Sequence, residues 1–369
     1  MSTASNSIVS SLAPSAPVHT SIDPSPAPSF PRIVAFGGGT GLPVVLGGLA
    51  EALQATVGED NLTQWTDSLT AIVTVTDDGG SSGRLRRDLG MLPPGDVRNC
   101  LAALSSDGAL KRLLAHRFDA PTAFDGHAVG NLMLAALTQM TGSFAAAIDE
   151  MAILLKARGR VYPSTIEDVT LQAELTTGEL IEGEMAIVAH PGRIRRLRLA
   201  RHARPWPDAL RALINAGAIV VGPGSLYTSV LPNLLIDGVT STLSAVRGAR
   251  IVVMNLMTQP GETDGLSLDD HLRVLREHTD RDLFDYVLVN RTQPTAAQLA
   301  PYRSERAEFL RCEGQLPSAG SAELIEADLL DTNCDKVRHD GDKLASVILD
   351  LAQRWRHPLY DQSRPAVAS

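Results

Sequence analysis

After a Ser-, Pro- and Ala-rich first thirty residues, short, mainly apolar runs alternate along the chain with longer stretches in which apolar residues recur every three or four positions. The apolar runs are RIVAF (32–36), LTAIVTV (69–75), AIVVG (218–222), IVVMNL (251–256) and YVLVN (286–290). Their apolar residues are consecutive rather than alternating, which suits strands buried on both faces of a parallel sheet. After the first run, Leu42, Val45, Leu46, Leu49 and Leu53 recur at helical spacing. Further helical stretches are expected over roughly 97–117 and 127–156 and in QPTAAQLAPY (293–302). Strands alternating with helices predict an α/β fold: a Rossmann-like, doubly wound, mainly parallel sheet with helices on both faces.

Residues 160–205 break that alternation. VTLQAELTTGELIEGEMAIV (169–188) reads as paired strands about a Thr177-Gly178 turn, and IRRLRLA (194–200) alternates basic with apolar residues. This segment is expected to form a small β-rich excursion beside the main sheet, as part of a cleft wall. The domain plan is then a Ser/Pro/Ala-rich disordered tail at 1–30, one α/β domain at 31–355 and a flexible tail at 356–369.

Charge and cysteine content narrow the function classes. The 369 residues carry 33 Lys+Arg against 42 Asp+Glu, a net charge of −9. That balance argues against a nucleic-acid partner and against a polybasic membrane surface. Cys100, Cys312 and Cys334 show no zinc or redox spacing, which suits a reducing cytoplasm. No apolar run approaches the roughly 18 residues of a membrane span. The first thirty residues contain no Lys or Arg and so lack the charged start of a secretory signal.

Unusual sequence collects just after the expected strands, where ligands bind in open α/β sheets. GGGTGL (37–42) joins a strand to a helix through a glycine turn, a shape whose backbone amides can hold a phosphate. It is not the dinucleotide fingerprint, because Leu42 stands where a third glycine would be needed. TDDGGSSGRL (76–85) places Asp77 and Asp78 at a strand end, followed by Ser81 and Ser82. Such carboxylates ligate Mg²⁺, orient a hydroxyl or act as a base, or else cap a turn. In PPGDVRNCLAAL (93–104), Asp96 reads as an N-cap. Arg98 and Asn99 follow in the first turn, where the helix dipole disfavours a cation unless an anion lies nearby. GHAVGNLMLAAL (126–137) brings His127 and Asn131 to another helix start. GPGSLYTSVLPNLL (222–235) is a second glycine turn, with Gly224 and Ser225 able to face a phosphate, and NLMTQPGET (255–263) follows the next strand. These loops predict a site for a phosphorylated or nucleotide-like ligand.

Taken in order, the same six motifs resemble the CofD-like superfamily, and within it the gluconeogenesis factor (YvcK) branch. The resemblance covers about residues 32 to 263 and continues more loosely to VRHDGDKLA (337–345). It implies a cytoplasmic regulator needed for gluconeogenic growth and cell shape, which binds UDP-N-acetylglucosamine and acts on an enzyme of cell-wall precursor supply. Self-association is compatible with this reading, and no catalysis is required. By position the resemblance carries over Gly38, Gly39, Thr40, Asp78, Asn131, Gly224 and Ser225 as cleft residues, with Tyr302 and Arg338 as looser nucleotide-sugar contacts. Ser81, Ser82, Arg98, Asn99 and His127 complete the expected ligand set. The alternative within the superfamily is a 2-phospholactate transferase acting on a deazaflavin, for which Asp77 or Asp78 with Mg²⁺ would orient the reacting groups. Pro43, Thr76, Ala128 and Gly341 depart from the family's usual residues; at Gly341 relatives often carry threonine, so no hydroxyl is present there for modification.

Overall fold

The computed structural model describes residues 31–57, 68–119, 121–312, 314 and 316–355, so the expected tails at 1–30 and 356–369 lie outside the described residues. Its strands are β1 (Ile33–Gly37), β2 (Leu69–Val73), β3 (Arg160–Pro163), β4 (Leu171–Leu175), β5 (Leu180–Glu182), β6 (Ile194–Leu199), β7 (Ala218–Val221), β8 (Ala249–Val253), β9 (Tyr286–Asn290) and β10 (Glu323–Ala327). Seven of them form one sheet in the order β10-β9-β8-β7-β1-β2-β3, parallel throughout. The other three form a small antiparallel sheet, β5-β4-β6. The Rossmann-like fold with its β-rich excursion is therefore present.

The first helices are α1 (Gly41–Val57), α2 (Gly80–Leu89), α3 (Gly95–Leu104), α4 (Gly108–Ala115), α5 (Val129–Thr141), α6 (Phe144–Leu154), α7 (Glu184–Ala189) and α8 (Pro207–Ile214). A π-helical turn at Leu226–Val230 leads into α9 (Leu231–Leu234), followed by α10 (Val239–Ala245), α11 (Leu268–Thr279), α12 (Ala296–Arg303) and α13 (Gly341–Trp355). Every residue of β1, β2, β7 and β9 is buried, as their unbroken apolar runs require. Leu42, Val45, Leu46, Leu49 and Leu53 of α1 are at most 3 % exposed and form one side of the core.

Local chemistry corrects several sequence boundaries. The stretch expected at 97–117 is two helices, because Asp107 accepts the amides of Ala109 (2.7 Å) and Leu110 (3.1 Å) and starts α4 anew. The stretch at 127–156 breaks at Gly142, in the left-handed region, and Ser143 caps α6 through the Ala146 amide at 3.3 Å. Arg160–Pro163 belongs to the main sheet as β3, and Glu184–Ala189 is helical rather than extended. The strands β3 and β10 lie at the sheet's two edges, β3 mixing exposed with buried positions and β10 exposed or half-buried throughout, so a search for continuous apolar runs passes over them. α1 and α13 cross where a Cβ on Gly48 would stand 1.9 Å from the Gly341 carbonyl oxygen. Gly341 thus contributes to close helix packing.

Candidate functional site

In strand order, β1 sits between β7 and β2, and the chain leaves β1 and β7 toward opposite halves of the sheet. This reversal opens a crevice at the carboxyl ends of the two strands. The two glycine turns meet there, backbone against backbone. A Cβ on Gly41 would lie 2.3 Å from the Pro223 carbonyl oxygen and 3.2 Å from the Gly224 nitrogen.

A cavity of about 530 Å³ opens at this junction. Of the expected ligand residues, Gly39, Thr40, Gly224, Ser225, Tyr302 and Arg338 line it. Residues 255–260 and Glu262 supply another wall, Val188 of α7 a third, and Glu305, Ala307 and 336–339 the far rim. The small sheet's helix is therefore part of the cleft wall, as its sequence suggested.

Side chains behind the wall fix the second turn. Asn255 grips Gly224 twice, accepting its amide at 2.9 Å and donating to its carbonyl at 2.7 Å. Gln259 donates to Ser225 Oγ at 2.7 Å. Glu262 accepts from Thr228 Oγ1 at 3.2 Å, and burial pushes its carboxyl up to about 6. On the far rim Tyr302 donates to the Val337 carbonyl at 3.4 Å. The exposed side chains of Lys336 and Arg338 have no ion pair or hydrogen bond among the described residues. Burial pushes the His339 imidazole down to about 4, with a hydrogen bond to the Met254 backbone opposing it, and among the described residues its Nε2 has no partner.

The other expected residues do not line this cavity; most of them form the support beside it. Gly38 lies against α3, where a Cβ would come 2.5 Å from Asp96 Oδ2 and 2.9 Å from Thr74 Cγ2. Asn99 Nδ2 donates to the Gly39 carbonyl at 3.3 Å. Asp96 is not the N-cap of α3: Pro94 holds that place, and the Asp96 carboxylate turns away to accept the Gly39 amide. Ser82 Oγ accepts the Gly95 amide at 3.1 Å. Asn131 donates to Ser81 Oγ at 3.0 Å, and Ser81 Oγ shares a second hydrogen bond with His127 Nδ1, also at 3.0 Å, whose direction follows the tautomer of the ring. That trio joins the start of α2 to the start of α5. Arg98 is buried elsewhere, with Nη1 toward the Leu114 carbonyl at 3.5 Å and its stem against Gly130.

The two aspartates point apart, as neighbours leaving a strand should. Asp77 Oδ1 accepts the Gly79 amide at 2.8 Å, and Asp78 Oδ1 accepts the Met185 amide at 2.9 Å. Asp78 thereby holds the first turn of α7. Beside it, the Glu184 carboxyl is pushed up to about 9, first by burial and then by the carboxylates of Asp77, Asp96, Glu262 and Asp78. Among the described residues no group of three or more His, Cys, Asp or Glu side chains is placed to hold a metal ion. The cavity residues Lys336 and His339 and the neighbouring Glu184 were not singled out from the sequence. Lys336 and His339 flank Arg338 and carried that signal, whereas Glu184 was concealed in a segment read as strand.

Fold and cleft together define an α/β protein with a cavity between two glycine turns at the switch point of its sheet. A family model described as 2-phospho-L-lactate transferase CofD matches residues 33–330, and the chain belongs to this CofD family, in its gluconeogenesis factor (YvcK, UPF0052) branch. It is 39 % identical over 323 residues to the gluconeogenesis factor of Bacillus subtilis, covering 87 % of this chain and 98 % of that one. It is 40 % identical over 322 residues to the gluconeogenesis factor of Halalkalibacterium halodurans, covering 86 % and 96 % of the two chains. A crystal structure of a UPF0052-family protein from Bacillus halodurans superposes with a TM-score of 0.79 at 39 % identity, covering 86 % of this chain and 99 % of that one. Among the described residues no helix is long and apolar enough to cross a membrane.

Proposed function

We propose that this protein is a cytoplasmic regulator that binds a nucleotide sugar, UDP-N-acetylglucosamine, and couples gluconeogenic growth to cell-wall precursor supply and cell shape. The observation that carries the reading is one cavity bringing both glycine turns, Gly39–Gly41 and Gly224–Ser225, to face Tyr302, Lys336 and Arg338. The amides of Thr40 and Gly41 at the start of α1 suit a phosphate group, while an aromatic ring and two cations across the cleft suit the sugar or base end. The volume of about 530 Å³ lies within the range of small-molecule sites. Asp77 and Asp78 each hold a backbone amide with one carboxylate oxygen, which favours a fixed binding site over a catalytic pair. The protein then acts through a partner enzyme, on its own or as a homo-oligomer.

Calorimetric titration of the purified protein with UDP-N-acetylglucosamine, with and without Mg²⁺, tests the reading, with GDP and NADPH as comparison ligands. Selective micromolar binding of the UDP-sugar without turnover supports it. Tight GDP binding with no response to the UDP-sugar, followed by phospholactyl transfer to a deazaflavin, would replace it with the transferase reading.

A further inference from the structure

We propose that Asp96 is a positioning residue of the cleft: with Asn99 it grips the Gly39 peptide at both N–H and carbonyl, and so sets how the first glycine turn presents its amides to the ligand. The inference rests on the nucleotide-sugar reading of the cleft and adds the device that aims one end of it.

Both side chains come from the first turns of α3, three residues apart and hence on one helix face. Asp96 accepts the Gly39 N–H, and Asn99 Nδ2 donates to the Gly39 carbonyl at 3.3 Å. Gly39 has φ +61°, which glycine adopts without strain but with much conformational freedom in the unfolded chain, so contacts that fix its peptide define the turn. Its neighbour Gly38 has no space for a side chain between Asp96 Oδ2 and Thr74. The turn therefore rests directly on the Asp96 carboxylate. Gly39, Thr40 and Gly41 then line the cavity, and the amides of Thr40 and Gly41, at the start of α1, have no intrahelical carbonyl to bind. The Gly39 amide is used on Asp96 and is not a phosphate donor; its role is to orient the two that follow.

An ionised acceptor holds an amide more firmly than a neutral one. Asp96 faces Asp77 from the loop after β2 and Glu184 from α7, while its own helix contributes Arg98 and Cys100. Burial raises its carboxyl to about 6, with Asp77 adding to the rise and the Gly39 amide and Arg98 opposing it. The grip is thus at full strength at neutral pH and weakens in mild acid.

The test pairs ¹⁵N-glycine NMR with calorimetry on the full chain, wild type and Asp96→Asn. In the wild type the Gly39 amide resonance should move with a midpoint near pH 6, and in Asp96→Asn it should not titrate. Affinity for UDP-N-acetylglucosamine, whose diphosphate diester keeps its charge throughout, should fall about tenfold from pH 7.5 to 5.5 in the wild type. Asp96→Asn should bind weakly at both pH values and lose most of the wild-type slope, the remainder belonging to Glu262 in the cavity wall, also raised to about 6, and Asn99→Ala should weaken binding while keeping the wild-type slope. A Gly39 resonance indifferent to pH overturns the proposal, as does an Asp96→Asn variant with wild-type affinity and slope. If Asp96→Asn does not fold, the wild-type Gly39 titration and Asn99→Ala still decide. If the wild type binds no UDP-sugar, the nucleotide-sugar reading fails and the Gly39 titration alone judges the grip.

Discussion

Gly41 and Pro223 touch across the switch point of the sheet, the Pro223 carbonyl oxygen lying 2.3 Å from where a Cβ on Gly41 would stand. The contact joins the first turn of α1 to the turn after β7, and both line the same cavity. Gly41→Ala should therefore push the two turns apart, destabilising the protein by about 1–3 kcal/mol, the usual range for overpacking. It should also remove most ligand affinity. Urea unfolding and titration with UDP-N-acetylglucosamine measure the two effects; a variant unaltered in both would show that the turns are free to separate.

A second close approach should affect stability through helix packing. At the crossing of α1 and α13, a Cβ on Gly341 would lie 2.9 Å from the Val44 carbonyl oxygen and 3.4 Å from Gly48. Gly341→Thr should cost about 1–3 kcal/mol in this chain. Gly48→Ala should cost at least as much, since its Cβ would meet backbone at 1.9 Å. The unfolding midpoint in urea is the readout, and an unchanged midpoint for Gly48→Ala would contradict the crossing as described.

Glu184 gives a pH signature of the opposite sense to an ordinary surface carboxylate. Its folded value is about 9 against an ordinary 4.5, so the native state keeps a proton that the unfolded chain releases. Stability contributed by this group is thus full below about 4.5 and lost as pH rises toward 9. Glu184→Gln removes the cost of holding that proton. The variant should exceed the wild type in stability by about 1–3 kcal/mol at pH 8, with the gap closing toward pH 5. Denaturant melts at the two pH values check it; a gap that does not narrow in acid would assign the effect to something other than ionisation.

His278 works in the other direction. Its Nε2 accepts the Leu197 amide at 2.8 Å and its Nδ1–H donates to the Val274 carbonyl at 2.7 Å, joining β6 to α11 through a neutral ring. Burial holds its pKa below the ordinary 6.5. That stabilisation is present above 6.5 and lost as pH falls through the lowered folded value. His278→Ala should cost about 1–3 kcal/mol at pH 7.5 and less at pH 5, where the wild type has itself given up part of the bond. An equal loss at both pH values would mean that packing, not the neutral acceptor, accounts for the residue.

The buried strands were legible because two-sided burial writes itself as an unbroken apolar run: all of Ile33–Gly37 is buried, as is all of Tyr286–Asn290. Edge strands write no such signal, so Glu323–Ala327, exposed at Glu323 and Glu326 and only half-buried between, passed unread. Both glycine turns could be placed from the sequence, since close backbone approach requires glycine at positions such as Gly41. Function within the turns could not be apportioned in the same way. Asn99, Ser81 and Asn131 look like ligand donors in sequence, and in the structure the Nδ2 groups of Asn99 and Asn131 are given to the Gly39 carbonyl and to Ser81 Oγ, outside the lining of the cavity. Asp96 looked like a cap and instead supports a loop nearly sixty residues away. Such partnerships depend on which elements the sheet order brings together, and local pattern does not carry that information.

Arg338 separates ligand binding from stability most cleanly. It lines the cavity, its side chain is exposed, and among the described residues it has no ion pair whose loss would destabilise the fold. Arg338→Ala should therefore leave the urea midpoint within about 0.5 kcal/mol of the wild type, as for a surface substitution. Loss of a charge-assisted contact is worth about 1.5–3 kcal/mol, so affinity for UDP-N-acetylglucosamine should fall roughly 10- to 100-fold. Asp78→Ala offers the contrast. Asp78 holds the Met185 amide at the start of α7, whose Val188 lines the same cavity. Its removal should loosen that wall, lowering stability and affinity together. If calorimetry shows Arg338→Ala binding as tightly as the wild type, the ligand does not reach the far rim, and the sugar or base end of the site must be sought between Asn255 and Glu262 instead.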